Sequence, residues 1–314
     1  MEAKKHINLR TAYGETLVEL GKANPNVVAL EADLGKSTMS NLFKAQFPER
    51  YFEMGIAEQN MASVSAGLAL SGKIPFYSTF AVFASGRAYD QIRCSIAIPK
   101  LNVIICGSSC GLSDFGDGKT HQSVEDANIL RAMPNMTVLN PVDGIEVRKM
   151  MKAIVGYNGP VYIRINRSEL PVYTPEDGEF KIGKIYPIND GGDVVIFATG
   201  VMVSKSLEAA EKLKAENISV QVVNVSTLKP LLKEEVLKYA KGKKAVITAE
   251  ESVKTGGLGG AIAELLFGEI HVPFKQVAIE DVFGTSAHSY EELLVEYKIS
   301  ANNVYNAVKE AVKK

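Results

Sequence analysis

The sequence Asn-Val-Ile-Ile-Cys-Gly at residues 102–107 decides the fold, because it is a short apolar run that ends in glycine. Runs of the same kind occur at residues 27–30 and 161–165, with longer amphipathic segments between them. Continuous apolar strands that alternate with helices are typical of a parallel sheet covered by helices on both faces. The sequence therefore predicts an α/β fold with doubly wound sheets.

The alternation of strands and helices occurs twice along the chain. Residues 1–168 carry the first series, and a second begins with the apolar run at 193–198 and continues to residue 314. Between them, residues 169–192 hold three prolines and four glycines, which is typical of a connection between domains. We predict two α/β domains, at 1–168 and 193–314, joined by a linker at 169–192.

Composition excludes several classes of protein. The formal net charge is −1 and shows no basic stripe of the kind that nucleic-acid-binding domains carry. No apolar run reaches the roughly 18 residues that suggest a transmembrane helix, and residues 1–6 lack the apolar core of a signal peptide. Three cysteines, Cys94, Cys106 and Cys110, are too few for a disulfide framework and too isolated for a zinc site. We expect a cytoplasmic protein without nucleic-acid or membrane partners.

Glu58 is the first candidate for chemistry. It follows a glycine turn and opens a helical segment whose apolar residues at 61–70 indicate burial. Burial favours the protonated form of a carboxyl group, which suits a group that shares a proton with a specific partner. The alternative is an ordinary glutamate at a helix N-terminus, where the helix dipole favours negative charge.

Two aromatic residues and a glycine-rich loop are the next candidates. Phe80 and Phe83 are three residues apart, so we expect both on one helix face, either as an apolar wall for a flat ring or as core. His121 lies in the polar loop 116–122 and could act as an acid or base near neutral pH. Asp117, between two glycines of that loop, could bind a hydroxyl group. The alternative for the loop is a turn that leads into the next helix.

Taken in order, the motifs of the chain resemble those of transketolases. The resemblance covers essentially all of the chain but only the second half of a transketolase. The absent half is the diphosphate-binding domain, whose Gly-Asp-Gly motif and downstream asparagine hold magnesium. The motifs that carry the resemblance are Asp33-Leu34, Ser37, Glu58, Ser78-Thr79-Phe80, Asp117-Gly118-Lys119-Thr120-His121-Gln122, Arg167, Thr255-Gly256-Gly257-Leu258-Gly259 and Phe283-Gly284-Thr285-Ser286-Ala287.

The resemblance implies a pyrimidine-binding domain followed by a transketolase C-terminal domain. It implies thiamine diphosphate as cofactor, bound between domains of two different chains. Glu58 would share a proton with the aminopyrimidine ring, Phe80 and Phe83 would pack against that ring, and Asp33 would lie near the cofactor. Mg²⁺ would be held by a partner N-terminal subunit, since no metal ligands are expected in this chain. The expected assembly is α2β2.

The resemblance also implies a substrate site and an activity. Asp117 and His121 would bind substrate hydroxyls, and His121 would assist proton transfer. Arg10, Ser37 and Arg167 would bind a sugar phosphate, because the arginine fork matches phosphate oxygens. The implied reaction is the transfer of a two-carbon ketol unit from a ketose to an aldose by the C-terminal subunit of a two-chain transketolase.

Three positions depart from the pattern. Ser109 stands where full-length transketolases have a histidine, and Cys110 where the similar 1-deoxyxylulose-5-phosphate synthases have an arginine. Gly86 stands where full-length transketolases place a further aromatic residue. The identity of the sugars and a strict need for phosphate therefore stay open. The alternatives are a deoxyxylulose-phosphate synthase, the β subunit of a 2-oxoacid dehydrogenase, and a non-catalytic assembly subunit.

Overall fold

The structure, a computed structural model, describes residues 4–313. Within that range the strands are β1 His6–Asn8, β2 Val27–Glu31, β3 Tyr51–Glu53, β4 Ile74–Phe80, β5 Ile104–Ser108, β6 Thr137–Leu139, β7 Val161–Ile165, β8 Glu169–Pro171, β9 Tyr186–Pro187, β10 Val194–Ala198, β11 Val220–Asn224, β12 Thr227–Lys229, β13 Ala245–Val253 and β14 Phe274–Ile279. The α-helices are α1 Leu9–Ala23, α2 Gly35–Thr38, α3 Asn41–Gln46, α4 Glu58–Leu70, α5 Tyr89–Gln91, α6 Asp126–Ala132, α7 Gly144–Ile154, α8 Met202–Lys214, α9 Lys233–Ala240, α10 Leu258–Leu266, α11 Tyr290–Glu296 and α12 Ala301–Val312. No helix in this part of the chain is long and apolar enough to cross a membrane.

The first sheet has the strand order β12-β6-β7-β5-β4-β2-β3. Its strands pair in parallel except at one edge, where β12 runs antiparallel to β6. Strand β5, formed by the apolar run near residue 104, lies in the interior between β4 and β7. An interior strand of a parallel sheet is buried on both faces, which explains its uninterrupted apolar sequence.

Helices cover both faces of this sheet. Successive residues of β2 point in opposite directions, so Val27 joins the hydrophobic cluster that contains Leu17 of α1. Val28 joins the other cluster, which contains Met61 of α4. The doubly wound arrangement predicted from the sequence is therefore confirmed.

The second sheet has the order β14-β13-β10-β11-β9 and is parallel except at β9. Its faces are likewise covered, with Val194 in one cluster and Val195 in the other. Strand β12 comes from the second half of the chain but completes the first sheet. Its sequence Thr-Leu-Lys has no apolar run, so it was not predicted, and only the free edge of β6 makes it a strand.

The segment 169–192, predicted as a linker, is held at both ends. Strand β8 pairs with β1 next to the first sheet, and β9 pairs with β11 in the second. Phe180 and Ile185 between them are buried. The segment therefore packs along both domains instead of crossing open solvent.

Helix α4 differs from its prediction in one respect. It begins at Glu58 and buries Met61, Ala62 and Ala66 against the sheet, as expected. The sequence predicts that Leu70 is buried, but it is 74% exposed, so that part of the prediction is wrong. A helix on a sheet buries only one stripe of its surface, and the small residues of α4 form that stripe.

Candidate active site

The carboxyl ends of β2 to β5 meet at one edge of the first sheet, where ligands bind in doubly wound folds. Strand β3 leads through a glycine turn into α4, which places Glu58 at this edge. Strand β4 ends in Phe80 and continues into a π-helical turn, Phe83–Arg87. Strand β5 leads into the loop that carries His121. Single π-helical turns are frequent at functional sites because they redirect side chains.

Glu58 is buried but paired. Its side chain is 1% exposed, and Nη1 of Arg87 lies 2.9 Å from each of its two carboxylate oxygens. The guanidinium group of Arg87 also lies over the Phe83 ring, 4.2 Å from its centroid. A carboxylate that is taken out of water is normally paired in this way. Reasoning from the sequence missed this arginine.

Phe80 and Phe83 form the apolar wall beside this pair. Their rings are stacked, with centroids 6.3 Å apart and an interplanar angle of 14°. The expectation that both lie on a helix face is wrong, because Phe80 is the last residue of a strand. The ring of His121 packs edge-on against both, at 5.5 Å from Phe83 and 6.2 Å from Phe80. The structure thus brings Glu58, the two phenylalanines and His121 together.

The arginines form a second cluster. Nη1 of Arg167 lies 2.6 Å from Oδ1 of Asp114 and 3.9 Å from Oδ2 of Asp117. Nη1 of Arg10 donates to the backbone oxygen of Ser37 at 3.0 Å. Burial lowers the pKa of Arg10 and the charge of Arg167 adds to this effect, so the two arginines lie in the same region of the structure. Four predicted residues, Arg10, Ser37, Asp117 and Arg167, therefore lie together, and Asp114 is an unpredicted fifth.

Asp33 and the three positions that depart from the family pattern have no hydrogen bond to the residues of either cluster in the part of the chain that is described. Asp33 is exposed with a φ of 60°, and its backbone N–H donates to Glu53 at 2.8 Å, which leaves it outside both clusters. Ser109 and Cys110 are buried, and burial raises the pKa of the Cys110 thiol. A Cβ atom added to Gly86 would meet no atom within 4 Å, so this position opens onto free space.

The loop that follows β5, residues 109–122, is hydrogen-bonded to the second domain. Glu251 at the end of β13 accepts hydrogen bonds from the backbone N–H of Leu112 at 2.8 Å and from the Tyr290 hydroxyl at 2.6 Å. Burial raises the pKa of Glu251 to about 7. The side-chain amide of Gln122 donates to the backbone oxygens of Asp114 and Thr285, which ties the two domains again.

A further buried carboxyl group lies under the site. Glu31, at the end of β2, accepts from the hydroxyls of Thr38 at 2.5 Å and Ser40 at 2.6 Å, and burial raises its pKa to about 7. The sequence around Glu31 and Glu251 gives no sign that these two glutamates are buried. Among residues 4–313, no group of three or more His, Cys, Asp or Glu side chains could hold a metal ion.

Comparison with known families agrees with this geometry over both domains. A family model described as "Transketolase, pyrimidine binding domain" matches residues 5–172, and one described as "Transketolase, C-terminal domain" matches residues 183–304. The chain belongs to the transketolase family. The resemblance seen in the sequence motifs is thereby confirmed.

Individual relatives of this transketolase-family chain cover nearly its whole length. A protein of Methanocaldococcus jannaschii named "Putative transketolase C-terminal section" is 43% identical over 98% of this chain and 96% of its own. A Clostridium protein named "6-deoxy-6-sulfo-D-fructose transketolase subunit SqwH" is 43% identical over 88% of this chain and 86% of its own. A solved structure titled "Split gene transketolase, inactive beta4 tetramer" has a TM-score of 0.89 and 45% identity, covering 98% of this chain and 99% of that one.

Proposed function

We propose that the chain is the C-terminal subunit of a two-chain transketolase. It would transfer a two-carbon ketol unit from a ketose to an aldose, with thiamine diphosphate as cofactor and an N-terminal partner subunit. The observation that carries this proposal is the buried carboxylate of Glu58 beside the stacked rings of Phe80 and Phe83. The relative named as a transketolase C-terminal section, similar over almost all of both chains, supports the subunit assignment.

The residues present fit the pyrimidine end of thiamine diphosphate. Bound thiamine diphosphate supplies the acidic thiazolium C–H group that ketol transfer requires. Glu58 would hold the ring nitrogen by sharing a proton with it, and the faces of Phe80 and Phe83 offer offset stacking to a flat heteroaromatic ring. Arg87 would give up at least one oxygen of Glu58 for this contact, and its half-exposed side chain leaves it free to move.

His121 and the arginine cluster would act on the substrate. His121, held edge-on against the two phenylalanines, would move protons at the substrate oxygen atoms, a role that suits imidazole near neutral pH. Asp117 would accept hydrogen bonds from sugar hydroxyls. Arg10, Ser37 and Arg167 would bind the far end of the sugar, and Asp33 would line the cofactor approach from the loop after β2.

A partner subunit would complete the site. The Mg²⁺ ion that accompanies the diphosphate would be held by the partner. Ile56, two residues before Glu58, has a side chain that is 75% exposed, and the partner would cover it. We propose an α2β2 assembly in the cytoplasm.

Isolation of the native complex tests the proposal. We expect a stoichiometric partner whose sequence carries Gly-Asp-Gly and a downstream asparagine, and ketol transfer by the complex in the presence of thiamine diphosphate and Mg²⁺. The pure chain should not turn over under the same conditions, because the proposed ligands of Mg²⁺ belong to the partner. Turnover by the pure chain, or the absence of ketol transfer by the complex with any ketose, would contradict the proposal.

A further inference from the structure

The arginine cluster contains a buried carboxylate. Asp114 has a side chain that is 2% exposed, and its Oδ1 atom lies 2.6 Å from Nη1 of Arg167. Its Oδ2 atom is buried and has no hydrogen-bond partner within the described part of the chain. A buried acceptor without a donor costs free energy, so an oxygen held in this way is expected to face a ligand that can donate.

The charges of the cluster cancel. Arg10 and Arg167 bring two positive charges, while Asp114 and Asp117 bring two carboxylates against the same Arg167 guanidinium, at 2.6 Å and 3.9 Å. Nε of Arg10 is also buried without a partner in this part of the structure. Burial raises the pKa of Asp114 above its usual value; the Arg167 guanidinium opposes this effect and the Asp117 carboxylate adds to it. The cluster therefore offers free donors and a free acceptor but little net positive charge.

We propose that Asp114 is a specificity-determining residue, which selects sugars with an uncharged or singly charged end over sugars that end in a doubly charged phosphate. The inference rests on the proposed function and specifies its substrate class. Oδ2 of Asp114 accepts a hydrogen bond from a terminal hydroxyl, and Arg10 and Arg167 donate to its neighbouring oxygens. A phosphate dianion at the same place meets the Asp114 carboxylate as a like charge in a desolvated setting.

The physical basis is the repulsion between like charges away from bulk water, which is stronger than in water because the effective dielectric constant is lower. The Arg167 guanidinium screens part of this repulsion. Like charges that face each other across a binding site serve as devices of selectivity rather than affinity. Removing the negative charge of Asp114 while keeping its shape should therefore favour phosphate.

Steady-state kinetics of the two-chain complex test this inference. Asp114→Asn keeps the shape of the side chain, Asp114→Ser provides a second variant, and Asp190→Asn removes the same charge from an exposed position as a control. We expect the ratio of kcat/KM for a phosphorylated ketose to that for its unphosphorylated form to rise at least about tenfold in both Asp114 variants and not in the control. An unchanged or lowered ratio would overturn the inference, because Asp114 would then support Arg167 instead of opposing phosphate.

Binding of inorganic phosphate to the pure chain gives a readout that does not need turnover. Calorimetric titration should show tighter binding by Asp114→Asn than by the wild type, and the Asp114→Asn/Arg167→Ala double variant should lose that gain. Equal phosphate affinity in wild type and Asp114→Asn contradicts the inference. If the wild-type complex transfers no ketol unit from any sugar, the proposed function fails, and the titration still decides whether Asp114 opposes a phosphate dianion.

Discussion

Two arginine–carboxylate pairs of this protein are built from the same groups but differ in burial. Arg164 and Asp126 are 1% and 0% exposed and are joined by two parallel hydrogen bonds of 2.9 Å. Arg87 is 41% exposed and reaches the buried Glu58 through a single nitrogen. A buried guanidinium group that donates through two nitrogens holds its carboxylate firmly, whereas an ion pair with one partner in solvent can dissociate.

The surroundings of the two pairs explain the difference. Asp126 also accepts from the Tyr162 hydroxyl at 2.6 Å, and Arg164 donates to the backbone oxygen of Glu251 in the second domain at 3.3 Å. This pair therefore joins the two domains. In the Arg87–Glu58 pair, Arg87 packs over the Phe83 ring and keeps 41% of its side chain exposed, at the edge where the proposed cofactor and partner would lie. The Arg164–Asp126 pair, with both side chains buried, is a structural link, whereas the Arg87–Glu58 pair, with one side chain partly in solvent, is accessible to a ligand.

The largest expected effect is on turnover. Glu58→Gln should preserve the fold but reduce kcat of the two-chain complex by about 10²–10⁴-fold, because an amide cannot share a proton with a ring nitrogen as a carboxyl does. Ketol-transfer kinetics measure the change, and Glu49→Gln, whose side chain is 69% exposed, is the matched control. Near-normal kcat for Glu58→Gln would remove this residue from the proposed chemistry.

The next effect is on stability. Arg164→Met should lower the free energy of unfolding by about 3–5 kcal/mol, since it leaves Asp126 as an uncompensated buried charge. Urea denaturation measures this loss, and the double variant Asp126→Asn/Arg164→Met should recover part of it. Arg87→Met should lower the free energy of unfolding by less, because the Arg87 side chain is already 41% exposed to water. Equal losses for Arg164→Met and Arg87→Met would contradict the difference drawn between the two pairs.

A smaller effect is expected at the arginine cluster. Arg10→Ala and Arg167→Ala should raise KM for phosphorylated ketoses by the equivalent of ~1.5–3 kcal/mol, the range for a hydrogen bond to a charged group, because both arginines donate to a phosphate even where Asp114 disfavours it. The readout is KM for a ketose with and without its phosphate, with Arg148→Ala on the exposed face of α7 as the control. If both cluster variants treat the two forms of the sugar alike, the cluster does not bind phosphate.

The smallest effect is on the pH dependence of stability. Burial raises the pKa of Glu251 from 4.5 to about 7, so the folded state holds this proton more tightly than the unfolded state. The stability that this group contributes is complete below its unfolded pKa and is lost as the pH rises through about 7. Glu251→Gln should therefore gain in Tm relative to wild type between about pH 5 and about pH 8. Curves that run parallel, as expected for the exposed Glu176→Gln, would contradict this.

The site was partly predictable from local patterns. Glu58 stood out because a charge opens a helix of small residues, and His121 because a histidine lies among glycines. The partners of these groups were not predictable. Arg87 is 29 positions from Glu58 and Asp114 is 53 from Arg167, so nothing in the spacing relates them. The roles of the site residues, the cofactor contacts and the cytoplasmic location stay predictions.

The sequence by itself determined the alternation of strands and helices and the α/β class with two sheets, because burial imprints its periodicity on neighbouring residues. Its motifs carried the resemblance to the transketolase family. The tertiary structure decided which charges meet. It placed Arg87 on Glu58, paired Asp114 with Arg167, brought β12 into the first sheet and placed Glu251 of the second domain against the backbone of Leu112 in the first. These contacts depend on distances between strands that are far apart in sequence, and no local pattern records such distances.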